Sequence, residues 1–299
     1  MSENARKYLD PKVVSRLSNL ELIARLVVEG FIVGLHKSPY HGFSVEFSEH
    51  RQYSPGDETR YIDWKVYGRT NRYFIKQFEE ETNLRAYIIL DASRSMAYSS
   101  GDNITKFEYA CYLAGALSYL MMMQRDAVGL VIYDEGIRKF LPPRSVRSYL
   151  DVILHELENA KPENKTNTAK SLHLIAERIK RRGLIILLSD LLDDQDEVIS
   201  AFKHFKHKKN EIIVFQILDP LERNFNFNVD ALFKDMETSE KMMTQSLYIQ
   251  KDYRRALNEF IKRYRFECLN NGIDYEVMDT GTSFDVALFR YLSKRRGLM

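Results

Sequence analysis

The stretch YIILDASRSMAYSS, residues 87–100, begins as a strand and breaks abruptly into polar residues. Apolar Ile88, Ile89 and Leu90 run directly into Asp91, and Ser93 and Ser95 follow at every second position. A carboxylate and two hydroxyls in alternation behind a strand can cap a helix, hold a phosphate, attack a substrate or bind a metal. The rest of the chain has to choose among these.

From residue 84 onward, strand and helix patterns alternate to the C-terminus, the signature of a mostly parallel sheet with helices on both faces. The expected strands are 86–90, 128–133, 137–141, 184–188, 212–218 and 274–278. The second and third are separated by DEG, a turn of hairpin length, so one edge of the sheet should be antiparallel. Helical periodicity covers 106–124, 146–159, 168–182, 197–207 and 251–270. The first of these helices is apolar nearly all round, which predicts a deeply packed central helix. Upstream, apolar spacing over 13–33 suits an amphipathic helix, and 34–83 breaks into short alternating pieces around KSPYHG and YSPGDE. The expected organisation is therefore an N-terminal helix with a β-rich addition over 1–83, followed by an α/β domain over 84–299.

A chain of 299 residues is long enough for one large domain with such an addition. Lys and Arg number 44 against 42 Asp and Glu, a net charge of +2 with no global pull toward nucleic acid or membrane. Basic runs such as KHFKHKK, residues 203–209, lack interleaved stacking aromatics, so no nucleic-acid partner is expected. His155, His173, His204 and His207 all lie on helical patterns, where a surface role is the simpler reading. Cys111 and Cys268, the two cysteines, sit in helix-like stretches, which argues against a disulfide framework and points to a reducing cytosol. The first 30 residues are charged and lack the apolar core of a signal peptide. The longest apolar runs, LIILLS and LMMM, fall far short of the roughly 20 residues of a spanning helix. A cytoplasmic location without direct membrane insertion is expected, with any recruitment to the inner membrane made through partners.

In a parallel α/β sheet ligands gather at the carboxyl ends of strands, where Asp91 is placed. Capping accounts for either serine alone but not for three oxygens in alternation. No glycine-rich phosphate loop with its lysine is present, and Ser93 is flanked by Ala92 and Arg94 instead of the glycines of a nucleophile elbow. An aspartyl phosphotransferase would carry a second carboxylate where Ser93 stands. A hard divalent cation remains, because Mg²⁺ takes about six oxygens from carboxylates, hydroxyls and waters. Later loops offer further donors at Thr166, in NKTNTAKSL, and at Asp190, in GLIILLSDLLDD.

The D-x-S-x-S element, the later loop threonine and the aspartate closing a following strand resemble the metal-ion-dependent adhesion site of von Willebrand factor A domains. The resemblance implies Asp91, Ser93, Ser95, Thr166 and Asp190 as ligands of Mg²⁺ or Mn²⁺. Thr166 is preferred over Thr168 because Leu172 then falls at the first buried position of the helix. Upstream, SPYHGFSVEFSEHRQYSPGDETRYIDWKVYGRTNRYFIKQFEEE, residues 38–81, resembles the signature of the bacterial family called domain of unknown function fifty-eight. It does so through Gly42, Ser44, Glu46, Phe47, Arg51, Tyr53, Gly56, Asp57, Arg60, Ile62, Asp63, Trp64, Lys76, Phe78 and Glu80 or Glu81. Members of that family pair with MoxR-type AAA+ ATPases.

The resemblance implies a von Willebrand A-like domain acting without catalysis, its metal binding an Asp or Glu of a partner. A MoxR-type ATPase is the implied working partner, in complex assembly, maturation or stress and envelope homeostasis. Arg51, Arg60 and Arg69 are candidate partner contacts, since Arg is the favoured interface cation. The rival expectation is a metal-assisted hydrolase of phosphoesters, for which no general base stands apart from the ligands.

Overall fold

A computed structural model describes residues 10–15, 17, 19–36, 50–53, 64–76, 84–101, 103–165, 167–226, 231–234, 241–244 and 246–298. In chain order its helices are α1 (Pro11–Val14), α2 (Leu20–His36), α3 (Trp64–Thr70), α4 (Lys106–Met123), α5 (Tyr149–Asn159) and α6 (Thr168–Arg178). They continue with α7 (Gln195–His207), α8 (Pro220–Asn224), α9 (Ser246–Asn270) and α10 (Asp285–Leu298). The strands are β1 (His50–Gln52), β2 (Phe74–Lys76), β3 (Arg85–Asp91), β4 (Ala127–Tyr133) and β5 (Ile137–Arg144). Further along the chain come β6 (Leu184–Ser189), β7 (Glu211–Leu218), β8 (Ala231–Lys234), β9 (Lys241–Thr244) and β10 (Asp274–Asp279).

Six strands form the central sheet in the order β10-β7-β6-β3-β4-β5, parallel throughout except for β5 against β4. The protein is thus an α/β fold with one antiparallel edge. β3 and β6 are apolar and buried along nearly their whole length because both faces are covered. Ile88 and Leu90 point into a core shared with α2, α4, α5 and α10, while Tyr87 and Ile89 point into one shared with α6, α7 and α9. α4 begins on a capping box between Thr105 and Glu108 and buries residues on every side, as its composition required.

The chain leaves β3 through α4 toward β4 on one side, and leaves β6 through α7 toward β7 on the other. Adjacent strands that send the chain in opposite directions open a crevice at their carboxyl ends. Asp91 ends β3 there, and Asp190 follows the last residue of β6.

Several expected boundaries move for identifiable reasons. The single helix expected over 13–33 is two, because Asn19 starts a new one: its side chain accepts the Leu22 amide at 3.0 Å and its carbonyl accepts the Ile23 amide at 3.0 Å. β5 continues through Pro142 and Pro143 to Arg144 because one side of this edge strand is open and, on the other, the two prolines fall at the register shift between Val128 and Leu130, where the ladder is interrupted. α6 stops at Arg178, where Ile179 turns extended and buries its side chain. α10, α3 and the β8–β9 hairpin were not expected. Within the β-rich addition the described residues pair β1 with β2 antiparallel. No helix among the described residues is long and apolar enough to cross a membrane.

At the end of the β4–β5 pair away from its turn, a register shift falls between Val128 and Leu130, and Gly129 lies close against the β5 backbone there. A Cβ on Gly129 would sit 2.5 Å from the Leu141 carbonyl oxygen and 2.8 Å from Pro143 N, both backbone atoms that cannot swing aside. Gly129→Ala is expected to cost about 2 kcal/mol or more in urea unfolding. Gly68→Ala, with nothing within 4 Å of the added carbon, should be neutral or slightly stabilising in the same measurement.

Candidate functional site

Strand register explains how an ionisable group comes to lie inside the sheet. Asp91 pairs in register with Tyr133 of β4, and the neighbouring Leu90 pairs with Leu188 of β6. Asp91 is completely buried. One carboxylate oxygen, Oδ1, accepts the Ser93 amide at 2.9 Å. The other, Oδ2, accepts the Ser189 hydroxyl at 2.6 Å and the Tyr133 hydroxyl at 3.2 Å. Burial, and then the nearby negative charge of Asp190, push the Asp91 carboxyl up to about 6 despite these donors.

Ser93 and Ser95 face each other, their hydroxyls 3.1 Å apart. Ser93 precedes a short 3₁₀ turn, Arg94–Ala97, yet its side chain makes no capping bond, so the capping reading is set aside. The loop is held by a short parallel pairing: Arg94 N donates to Asn164 O at 2.8 Å and Glu163 N to Ala92 O at 3.3 Å. That pairing carries the segment before α6 to the cluster. Thr166 itself lies outside the described residues. Thr168 is buried, its amide donates to Asp193 at 2.9 Å, and its hydroxyl lies beside that of Tyr133 without a bond of regular geometry among the described residues.

Asp190 is also buried and has a different partner. Its Oδ2 accepts Lys106 Nζ at 2.9 Å, its Oδ1 accepts the Leu192 amide at 3.2 Å, and its carbonyl accepts Gln216 Nε2 at 2.8 Å. The next residue, Leu191, adopts a left-handed φ of 55°, unusual for a branched side chain, and is held there by burial and by its amide bond to the Ser189 hydroxyl at 3.0 Å. Lys106 is fully buried and also reaches Glu222 Oε1 at 2.8 Å. Burial works against the ammonium, but Asp190 and then Glu222 outweigh it and hold Lys106 above the ordinary lysine range. Burial raises Glu222 in turn, and Lys106 only partly offsets this. Glu222 belongs to a capping box with Asp219 at the start of α8, and Asp219 accepts both the amide and the hydroxyl of Ser100. The loops following β3, β6 and β7 are thereby tied by one polar chain.

The cluster offers only oxygen donors: two buried carboxylates that repel each other, and the hydroxyls of Ser93, Ser95 and Thr168 around them. Such a set suits a hard cation such as Mg²⁺ and not a thiophilic one. Among the described residues no group of three or more His, Cys, Asp or Glu converges as a ready-made cage, so carboxylates alone would not hold the ion. Asp193 and Asp194, which follow Asp190 in the same loop, serve the backbone. Asp194 caps α7 through the amides of Asp196 and Glu197, and Asp193 holds the Thr168 amide.

Sequence reasoning missed Ser189, Tyr133 and Lys106. A lysine opening an otherwise apolar helix was the available signal for the last of these. Of the candidate partner contacts, Arg69 is exposed in the last turn of α3, Arg51 lies in β1 opposite Ile75, and Arg60 is outside the described residues.

A family model described as "Protein of unknown function DUF58" matches residues 49–265. Uncharacterised proteins Rv1480 of Mycobacterium tuberculosis and Mb1516 of Mycobacterium bovis are each 24% identical over 237 residues, covering 77% of this chain and 72% of theirs. Two solved structures are similar at 17% identity. The conserved hypothetical protein BatB from Bacteroides thetaiotaomicron has a TM-score of 0.46 over 71% of this chain and 98% of its own. An aerotolerance-related membrane protein from Bacteroides fragilis has a TM-score of 0.48 over 71% and 99%.

Two stability measurements probe the cluster. Lys106→Met leaves Asp190 and Glu222 facing each other without a cation and is expected to cost about 3–5 kcal/mol in urea unfolding. The double variant Lys106→Met/Glu222→Gln should recover part of that loss. With a chelator present, Asp91 binds its proton more tightly in the folded protein than in the unfolded chain. Its contribution to stability is therefore full below about pH 4 and is lost as pH rises through about 6. Asp91→Asn should accordingly gain on the wild type, by on the order of 2 kcal/mol, between pH 4.5 and 7.5. A difference that stays flat across that range would contradict the assignment.

Proposed function

The chain belongs to the DUF58 family, and from that premise we propose that it is a non-enzymatic interaction module whose carboxyl-edge cluster uses Mg²⁺ or Mn²⁺ to bind a partner's carboxylate. The observation that carries the reading is the meeting of Asp91 and Asp190 at the crevice between β3 and β6, with the Ser93 and Ser95 hydroxyls beside them. In this reading residues 84–299 form a von Willebrand A-like domain and residues 1–83 an addition carrying the family signature.

Asp91, Ser93, Ser95, Thr166 and Asp190 would hold the ion. When bound, it supplies an open coordination position that an Asp or Glu side chain of another protein can fill. The chain's own groups prepare that position. Ser189, Tyr133 and the Ser93 amide orient Asp91, and Lys106 holds Asp190 through Oδ2. Both carboxylates are thus presented without free rotation, so little ordering is left to pay for on binding. The adhesion-site resemblance supports the ligand set, and the resemblance of the upstream signature supports a MoxR-type AAA+ ATPase as partner. Among the described residues no uncommitted base stands beside the cluster, which favours binding over hydrolysis.

Calorimetry with Mg²⁺ and Mn²⁺ should show one saturable site in the wild type and none in Asp91→Ala. Capture from native lysate should recover an AAA+ ATPase with the wild type and metal, and not with Asp91→Ala or chelator. Equal recovery in all four conditions would sink the metal bridge. Mg²⁺-dependent phosphoester turnover abolished by Asp91→Ala would replace the reading with a hydrolase.

A further inference from the structure

A second set of coordinating side chains lies between α6 and α7, apart from the carboxyl-edge cluster. His173 of α6 and His204 of α7 turn their Nδ1 atoms toward each other at 3.1 Å, with ring centroids 5.3 Å apart and planes inclined at 37°. On the other side of its ring, His204 Nε2 lies 3.2 Å from Glu177 Oε1, one turn along α6 from His173. The remaining Glu177 oxygen accepts Lys208 Nζ at 3.3 Å, and Lys208 also donates to the Ala176 carbonyl at 2.9 Å.

These contacts select a tautomer. A proton on His204 Nε2 satisfies Glu177, and the His204 Nδ1 lone pair is then aimed at the His173 ring. With ring centroids 5.3 Å and Nδ1 atoms 3.1 Å apart, both nitrogens lie close to the line between the rings, the geometry of a hydrogen bond, so an ion shared by them lies off that line and both partly exposed rings turn toward it by roughly 20–40°. With bonds of about 2.0–2.1 Å the two nitrogens subtend roughly 100°, within the range of tetrahedral and octahedral sites. A carboxylate accepting the far N–H of a ligating histidine is, moreover, the recurrent support of metal-bound imidazole. Lys208 adds positive charge nearby, but Glu177 compensates it directly.

We propose that His173 and His204 form a two-histidine site for a divalent transition ion of the zinc and copper class, with Glu177 as the positioning residue for His204. No third protein ligand joins them among the described residues, so the other coordination positions are open to water or to a donor from another molecule. Both imidazoles are partly exposed, which gives the ion a route in. The ion would cross-link two packed helices whose ligands lie 31 residues apart, and binding to the folded chain alone raises its stability. Ligand softness separates this site from the oxygen cluster. Imidazole suits zinc and copper, whereas Mg²⁺ has little use for it.

The test uses the full chain without an affinity tag, titrated with Zn²⁺ and separately with Cu²⁺ in excess Mg²⁺, followed by calorimetry and thermal unfolding. Cys111 and Cys268 are buried and cannot compete in the folded protein. One equivalent should bind, Cu²⁺ more tightly than Zn²⁺, with a rise in the thermal midpoint. His173→Gln and His204→Gln, which keep the packing, should each weaken binding at least tenfold, and Glu177→Gln about tenfold. Asp91→Ala should leave this affinity unchanged. Affinity unaltered in both histidine variants, or no saturable binding, would overturn the proposal and leave the pair as a proton-sharing contact.

Discussion

Two carboxylates buried at the ends of adjacent strands impose the main constraint on this molecule. An unpaired charge in a protein interior is costly, and here two of like sign sit close enough to perturb each other. The fold answers each differently. Asp91 is surrounded by neutral donors from its own loop, from β6 and from β4, which leave its proton affinity high. Asp190 receives a full counter-charge from Lys106, whose burial only its two acidic partners make tolerable. A structure that needed only stability could place leucines at these positions; retaining both carboxylates at the crevice is an argument for ligand binding.

The same polar groups organise the carboxyl edge as a unit. Lys106 opens the central helix, Asp190 follows β6, and Glu222 and Asp219 cap the helix that follows β7, with Ser100 reaching back from the first loop. A contiguous chain of hydrogen bonds and ion pairs therefore runs from the candidate metal ligand to α8, the element before the β8–β9 hairpin. A bound ion that drew Asp190 toward itself would pull on Lys106 and, through it, on Glu222. That is the physical route by which occupancy of the edge could be felt elsewhere on the surface.

Most of the sheet was legible in the sequence. Apolar runs bounded by turn residues placed all six central strands to within a residue or two, apart from β5, and DEG announced the antiparallel hairpin. The exceptions share a cause. β5 outran its expected end because prolines are excluded from a strand only where a neighbour needs their missing donor, and here one side of β5 is open while the other carries a register shift opposite the two prolines. The N-terminal helix split because a local cap at Asn19 outweighed the continuing apolar spacing. α10 escaped notice because its buried residues, Ala287, Leu288, Tyr291 and Leu292, occupy barely two turns before a basic run.

At the candidate site, local pattern and tertiary placement separate cleanly. By itself the sequence determined that a strand ends in Asp91, Ser93 and Ser95 and that another is followed by Asp190, because alternation and apolar content are properties of a few consecutive residues. Only the tertiary structure decided that these ends are neighbours, that Ser189 and Tyr133 serve Asp91, and that Lys106 serves Asp190 across 84 residues of chain. It also brought the Nδ1 atoms of His173 and His204 together. Those pairings depend on strand order and helix packing, which arise from long-range burial of apolar faces and leave no mark on the residues around any one partner.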